Sequence, residues 1–174
     1  TRGERTGDYR LTDMGNAERF VSAWRGKVLW SGGLGWLWWD GKRWVPDQLE
    51  RVAAMAKITA RSIGAEAQDE ADEARRQALI KWWAMSENAA RVAAMVELAK
   101  PDLAVSADAF DADPYLLNCS NGTLDLRNAT LHPHNPRDLI TKLCPVAYTP
   151  DATHPVWDRF LADATGGDEA FSTF

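Results

Sequence analysis

The feature that most restricts the fold is a run of aromatic and β-branched residues over residues 27–45, which reads KVLWSGGLGWLWWDGKRWV. Such side chains favour extended backbone, and Asp-Gly between two apolar runs favours a tight turn. The pattern therefore predicts a three-stranded antiparallel meander. With Asp40 and Gly41 as a two-residue loop, Trp38 is expected opposite Arg43, and Leu37 opposite Trp44.

Side-chain alternation divides the aromatic residues of this meander between two faces. The face expected to pack on a preceding helix carries Leu37, Trp39 and Trp44. The second face, expected to be more open, carries Trp36, Trp38 and Arg43. Two interpretations of the second face remain open. Arg43 lies across Trp38 as a cation–π pair, or the face stacks on bases of single-stranded DNA.

The rest of the chain predicts a helical middle followed by turns and strands. A helix capped by Asn16 or Asp13 precedes the meander, and three helices follow it: 47–64, 72–85, and one that is capped by Ser86 or Asn88 and ends at residue 99. Asp47 and Glu50 resemble a capping box for the first of these three, with Leu49 in its buried stripe. Strands are predicted at 115–119, 123–126, 131–134 and 139–148, the second after an Asn-Gly turn. A last helix begins at Pro155 and is expected to bury Val156, Phe160 and Leu161.

Together these elements predict an α+β fold: a small Trp-rich antiparallel sheet, a helical middle, and carboxy-terminal β-hairpins with a short helix. Residues 1–10 are interpreted as a linker or disordered, and 11–165 as one module with sub-lobes 11–64, 72–100 and 102–165. Residues 166–174 begin a further helical segment. We therefore expect the sequence to belong to a longer protein.

The charge distribution places any polyanion contact in the first third of the chain. The net charge is −5, yet residues 1–62 contain 11 basic and 7 acidic side chains and six of the nine tryptophans. Basic and aromatic residues together are typical of surfaces that bind single-stranded nucleic acid. The candidate DNA-binding residues are Arg25, Lys27, Trp36, Trp38, Lys42 and Arg43.

No stretch of this sequence carries a catalytic constellation or a bound-cofactor motif. Neither Gly26-Lys27 nor Gly41-Lys42 belongs to a phosphate-binding loop, because the upstream glycine and the following hydroxyl residue are missing. The pair Cys119 and Cys144 fits reduced thiols, and with two nearby histidines it lacks the short chelate spacing of most zinc sites. No catalytic residue, metal ligand or cofactor is therefore assigned.

Six stretches, in order over residues 11–161, resemble the primase–helicase family of phages and plasmids, with its poxvirus-type relatives. The matching stretches are LTDMGNAERF from residue 11, WDGKRWVPD from 39, DPYLLNCSNGTLDLR from 113, LHPHNP from 131, TKLCPVAY from 141 and PVWDRFL from 155. The resemblance is to the module between an amino-terminal primase region and a superfamily-3 helicase.

The resemblance implies a replication protein of a phage, prophage or plasmid that acts in the bacterial cytoplasm. It implies a non-catalytic module that joins the primase to an ATP-driven helicase ring, assists hexamer assembly and engages single-stranded or forked DNA. ATP and Mg²⁺ would serve the parent helicase, outside this sequence. Two alternatives stay open: a pure oligomerisation module without DNA contact, and a carbohydrate-binding module that uses the tryptophans as a platform.

Overall fold

The computed structural model describes residues 9–166, and within that range the chain forms five α-helices and two three-stranded antiparallel sheets. The α+β fold class predicted from the sequence is confirmed. The elements, in chain order, are α1 (Asp13–Trp24), β1 (Val28–Ser31), β2 (Gly35–Trp39), β3 (Trp44–Pro46), α2 (Arg51–Asp69), α3 (Glu73–Ser86), α4 (Ala89–Ala99), β4 (Leu116–Cys119), β5 (Gly122–Asp125), β6 (Thr130–His132) and α5 (Pro155–Thr165). The expectations for residues 1–8 and 167–174 lie outside the described residues.

The amino-terminal sheet has the predicted strand order, but the predicted pairing of its second hairpin is wrong. Trp39, not Leu37, lies opposite Trp44. The Asp40 carboxylate accepts hydrogen bonds from the backbone N–H groups of Lys42 and Arg43, both at 2.8 Å. This side-chain turn closes a four-residue loop in place of the two-residue one, since an aspartate can replace a backbone acceptor in a turn.

Both faces of this sheet are covered, and the face predicted to pack on the preceding helix is the wrong one. Trp36 and Trp38 pack against the helical core. Leu37 and Trp44 instead cluster with Phe110 from the carboxy-terminal half. Alternation separates the two faces correctly, but it cannot say which layer each face meets.

Helices α1, α2 and α4 form the main core beneath this sheet, and α3 packs chiefly on α2. Thr12, and neither the predicted Asn16 nor the predicted Asp13, caps α1 by accepting a hydrogen bond from the Gly15 N–H at 3.1 Å. Asn16 is fully buried and joins α1 to α3. Its amide donates to the Ser86 hydroxyl at 3.0 Å and accepts from the Trp82 indole N–H at 2.9 Å.

A buried ion pair links α1 to α2. The Arg19 guanidinium, 3% exposed as a residue, donates to both carboxylate oxygens of Glu66 at 2.8–3.0 Å and to the Arg10 carbonyl at 3.1 Å. The Tyr9 ring lies 4.9 Å from the same guanidinium. Arg19 thus has partners on several sides, as a buried charge requires.

The start and end of α2 both differ from the prediction. Asp47 does act as a cap, because its carboxylate accepts from the N–H groups of Arg51 and Val52, each at 2.9 Å. The helix begins only at Arg51, however, and Leu49 is 74% exposed instead of buried. At the other end α2 continues through Gly64 to Asp69.

In the carboxy-terminal half, the predicted hairpins form β4, β5 and β6, but residues 139–148 do not form the predicted strand. They run between the two sheets. The Ile140 carbonyl accepts from the Trp44 N–H at 2.8 Å, and the Cys144 N–H donates to the Asn118 carbonyl at 2.8 Å. Pro145 cannot donate to a regular ladder, which explains the irregular pairing.

Helix α5 starts at Pro155 as predicted, but its predicted burial is wrong. Val156 and Phe160 are 70% and 56% exposed, and Leu161 is only half-buried. No side chain of α5 is buried against the rest of residues 9–166. The apolar stripe of this helix is therefore left facing solvent.

Candidate nucleic-acid interface

One side of α2 brings basic side chains onto tryptophan rings. Trp24 ends α1, and its indole N–H donates to the Thr59 hydroxyl of α2 at 2.9 Å, which fixes the ring. The Lys27 ammonium lies 5.3 Å from the centre of this ring. Lys27 is exposed, and so is Arg25, the residue directly after Trp24.

A second pair of the same kind lies at the start of α2. The Arg51 guanidinium lies 4.1 Å from the centre of the Trp38 ring. Trp38 is a half-buried side chain of β2. The predicted Arg43–Trp38 pair is therefore wrong, because Arg51 occupies that place. Arg51 and Thr59 are eight residues apart, so the two cation–π pairs are separated by about 12 Å along the helix, at 1.5 Å per residue. We call Trp24, Arg25, Lys27, Trp38 and Arg51 the basic tryptophan edge.

The cations of this edge are not neutralised by neighbouring acids. Within residues 9–166, no carboxylate lies within ion-pair distance of the side-chain cations of Arg25, Lys27 or Arg51, although the Asp47 carboxylate binds the Arg51 backbone N–H. Lys100 provides a contrast, since it lies 4.1 Å from the Trp30 ring but also binds both Glu97 oxygens at 2.8 Å. The edge thus retains net positive charge at an exposed surface, which attracts anions.

The other candidate residues of the sequence are used within the fold. Trp36 lies edge-on to Phe20 and to Trp30, with ring centres 6.4 and 5.4 Å apart. Lys42 is exposed, and its ammonium donates to the Ser120 carbonyl at 2.7 Å. The Arg43 guanidinium donates to the Thr141 carbonyl at 3.3 Å. Lys42 and Arg43 therefore connect the first sheet to the carboxy-terminal half, away from Trp38.

The shifted pKa values belong to the carboxy-terminal half and not to this edge. A hydrogen bond from Arg127 holds the pKa of Asp113 below its usual value, and burial raises the pKa of Asp138. Burial also raises the pKa of the Cys119 thiol, with a smaller contribution from Cys144. These groups lie in the turns and strands of the carboxy-terminal half, and none of them belongs to the basic tryptophan edge.

Metal chemistry finds no support in the described part of the chain. Between residues 9 and 166, no three side chains of His, Cys, Asp or Glu cluster as a metal site. His134 binds the Asn118 side-chain oxygen at 2.9 Å, and both cysteines are free thiols. The same range contains no helix that is long and apolar enough to cross a membrane.

A comparison with known protein families settles the relationship that the six stretches suggested. The model of the D5 N terminal like family matches residues 17–166. The chain belongs to this family. The D5 N terminal like domain is the amino-terminal domain of primase–helicase proteins of phages, plasmids and poxviruses, so the predicted relationship is confirmed. The match includes every residue of the basic tryptophan edge.

Sequence reasoning missed Arg51, which is the closest cation to a tryptophan ring at this edge. Arg51 occupies the first position of a helix, where the helix dipole disfavours a positive charge. No signal in the sequence indicated this placement, because the helix was predicted to begin at residue 47, which puts Arg51 inside it. In the structure, the contact with the Trp38 ring gives this cation a partner at the helix start.

Proposed function

We propose that this D5 N terminal like chain is the part of a DNA primase–helicase that joins the primase to the helicase ring and contacts DNA with its basic tryptophan edge. The single observation that carries the DNA contact is the set of exposed cations without acidic partners, two of them lying on tryptophan rings. We assign the protein to phage, prophage or plasmid replication in the bacterial cytoplasm. ATP and Mg²⁺ are assigned to a helicase domain outside this sequence.

The arrangement favours phosphate contacts over base stacking. Lys27 and Arg51 already cover the rings of Trp24 and Trp38, so a base would have to displace a cation–π contact worth about 0.5–1 kcal/mol before it stacked. The guanidinium and ammonium donors, in contrast, remain accessible to phosphate oxygens. Because a ring orients each cation, less side-chain entropy is lost on binding than for a free lysine or arginine.

Salt-dependent DNA binding tests this proposal. Fluorescence anisotropy with a labelled single-stranded oligonucleotide gives the binding constant at several salt concentrations. The slope of log K against log salt is negative, and each lost phosphate contact makes it shallower by about 0.7 for single strands. The double variant Lys27→Ala/Arg51→Ala should therefore make the slope shallower by about 1.4.

Two matched variants control for the change in net charge. Lys81→Ala/Arg137→Ala removes two exposed cations that do not belong to the edge and should leave the slope unchanged. Lys42→Ala/Arg43→Ala tests the cations chosen from sequence alone, which the fold uses internally. A wild-type chain that binds no DNA, or equal slopes for all three double variants, would refute the contact.

A second candidate function is assembly without DNA contact. The observation that favours it is the exposed apolar face of α5, which carries side chains of a kind that proteins bury in interfaces. In that case the chain sediments as an oligomer and shows no salt-dependent binding of oligonucleotides. Sedimentation and anisotropy on the same samples separate the two functions.

A further inference from the structure

Helix α5 presents a large apolar face that nothing in residues 9–166 covers. Val156, Trp157 and Phe160 are 70%, 56% and 56% exposed, and the rings of Trp157 and Phe160 stack with centres 5.4 Å apart. Leu161 and Ala164 continue the face at helical spacing. Two adjacent exposed aromatic rings on one short helix are typical of an interface anchor.

A groove of matching character lies between α2 and α4. Its volume is about 640 Å³. Small side chains line it, with valines at its sides and charged residues at its rim; the lining comprises Ala53, Ala60, Ala89, Ala93, Val92 and Val96, with Lys57, Arg61, Glu87 and Glu97 at the rim. Alanines leave room for large side chains from elsewhere.

The groove and the helix agree in length. The groove runs from Ala53 to Arg61 along α2, which is eight residue-to-residue steps or about 12 Å at 1.5 Å per residue. The apolar face of α5 also spans eight residue-to-residue steps, from Val156 to Ala164. Large aromatic side chains on the helix and alanines in the groove are complementary in shape.

Charges at the edges agree as well. Lys57, at the rim of the groove, has no acidic partner among residues 9–166, and neither Asp158 nor Asp163 of α5 has a basic one. The two aspartates flank the apolar face of α5. Docking would bring unpaired charges of opposite sign together at the rim, which adds specificity to the apolar contact.

We propose that α5 of one copy docks into the α2–α4 groove of a second copy. The inference rests on the assembly role proposed above and names the surfaces that perform it. Because the two surfaces differ, the contact is heterologous, and each copy provides one helix and one groove. A chain of copies joined in this way has no free surface left only when it closes into a ring.

Two variants break the two sides of the contact separately. Phe160→Asp places a charge on the α5 face, and Ala93→Glu places one in the groove; both positions are exposed, so the fold should persist. Sedimentation velocity of the 174-residue chain over a range of concentrations gives the association constant. Each variant should weaken self-association at least about tenfold. Ile58→Asp, on α2 outside the groove, removes an exposed apolar side chain with little effect.

Mixing the variants provides the sharpest test. The Phe160→Asp chain keeps an intact groove and the Ala93→Glu chain keeps an intact helix, so an equimolar mixture should form dimers and stop there. A mixture that stays monomeric overturns the proposal, as does wild-type association that neither variant weakens. A wild-type chain that is monomeric at all concentrations also overturns it. Anisotropy on the same variants should show unchanged DNA binding per chain, so the DNA contact stands or falls separately.

Discussion

Replacing Glu66 by alanine leaves the Arg19 guanidinium buried without its carboxylate. Arg19 is 3% exposed, and three of its four hydrogen bonds go to Glu66. Breaking a buried ion pair from one side costs about 3–5 kcal/mol. Because the Glu66 side chain is 25% exposed and water can reach it, we expect the lower end, about 3 kcal/mol.

Urea denaturation measures this cost directly. A chain of this size loses about 2 kcal/mol of stability per molar urea, so 3 kcal/mol corresponds to a midpoint lowered by about 1.5 M. The matched control is the double variant Arg19→Met/Glu66→Leu, which removes both charges and keeps apolar volume. It should unfold within about 1 kcal/mol of the wild type, since replacing a whole buried pair by apolar residues is often neutral.

Two outcomes would contradict this reasoning. A midpoint shift below about 0.3 M for Glu66→Ala would mean that water already solvates Arg19 in the folded protein. A double variant as unstable as Glu66→Ala would mean that packing, and not the unpaired charge, accounts for the loss.

Three further predictions concern other parts of the fold. Gly15→Ala should lower the free energy of unfolding by about 1–3 kcal/mol, because a Cβ there overlaps the Arg10 carbonyl; unchanged urea unfolding would contradict it. Iodoacetamide at neutral pH should label the half-buried Cys144 and spare Cys119, whose thiol is buried and has a raised pKa; peptide mapping that finds modified Cys119 refutes this. Burial raises the pKa of Asp138 in the folded state, so its ionisation destabilises the fold as pH rises through that value. Asp138→Asn should therefore raise the melting temperature at pH 7 and not below about pH 3, where both states are protonated; an equal gain at both pH values would exclude ionisation as the cause.

Local signals in the sequence predicted the elements well where short-range chemistry determines them. Helices α3, α4 and α5 begin within about one residue of the predicted positions 72, 88 and 155, and the observed caps are Asp72 for α3 and Asn88 for α4. The turn at Asp40 shows the limit of such signals. Asp-Gly indicates a tight loop, yet the same aspartate accepts two backbone hydrogen bonds and lengthens that loop.

The candidate site was only partly predictable, because it depends on contacts between distant residues. Lys27 and Trp38 were identified from composition and alternation, and both lie on the basic tryptophan edge. Arg43 was paired with Trp38 because a two-residue loop would place them opposite each other. In the structure, the longer loop places Arg43 at the Thr141 carbonyl. Arg51 of α2 makes the cation–π contact with the Trp38 ring instead. No sequence pattern specifies that a helix will pass this face of the sheet.

The bridging segment 139–148 has a consequence for synthesis on the ribosome. The Trp44 N–H of β3 is hydrogen-bonded to the Ile140 carbonyl, which comes 96 residues later in the chain. At about 5–20 residues per second, that acceptor emerges some 5–20 seconds after the donor. During this interval the nascent chain carries a tryptophan-rich sheet with an unfinished edge, which invites pairing with other extended chains. Slow translation between these two positions should therefore increase aggregation of the nascent chain. Chaperones that bind unfolded chains, or early packing of the helical core, would protect the unpaired edge until residues 139–148 are synthesised.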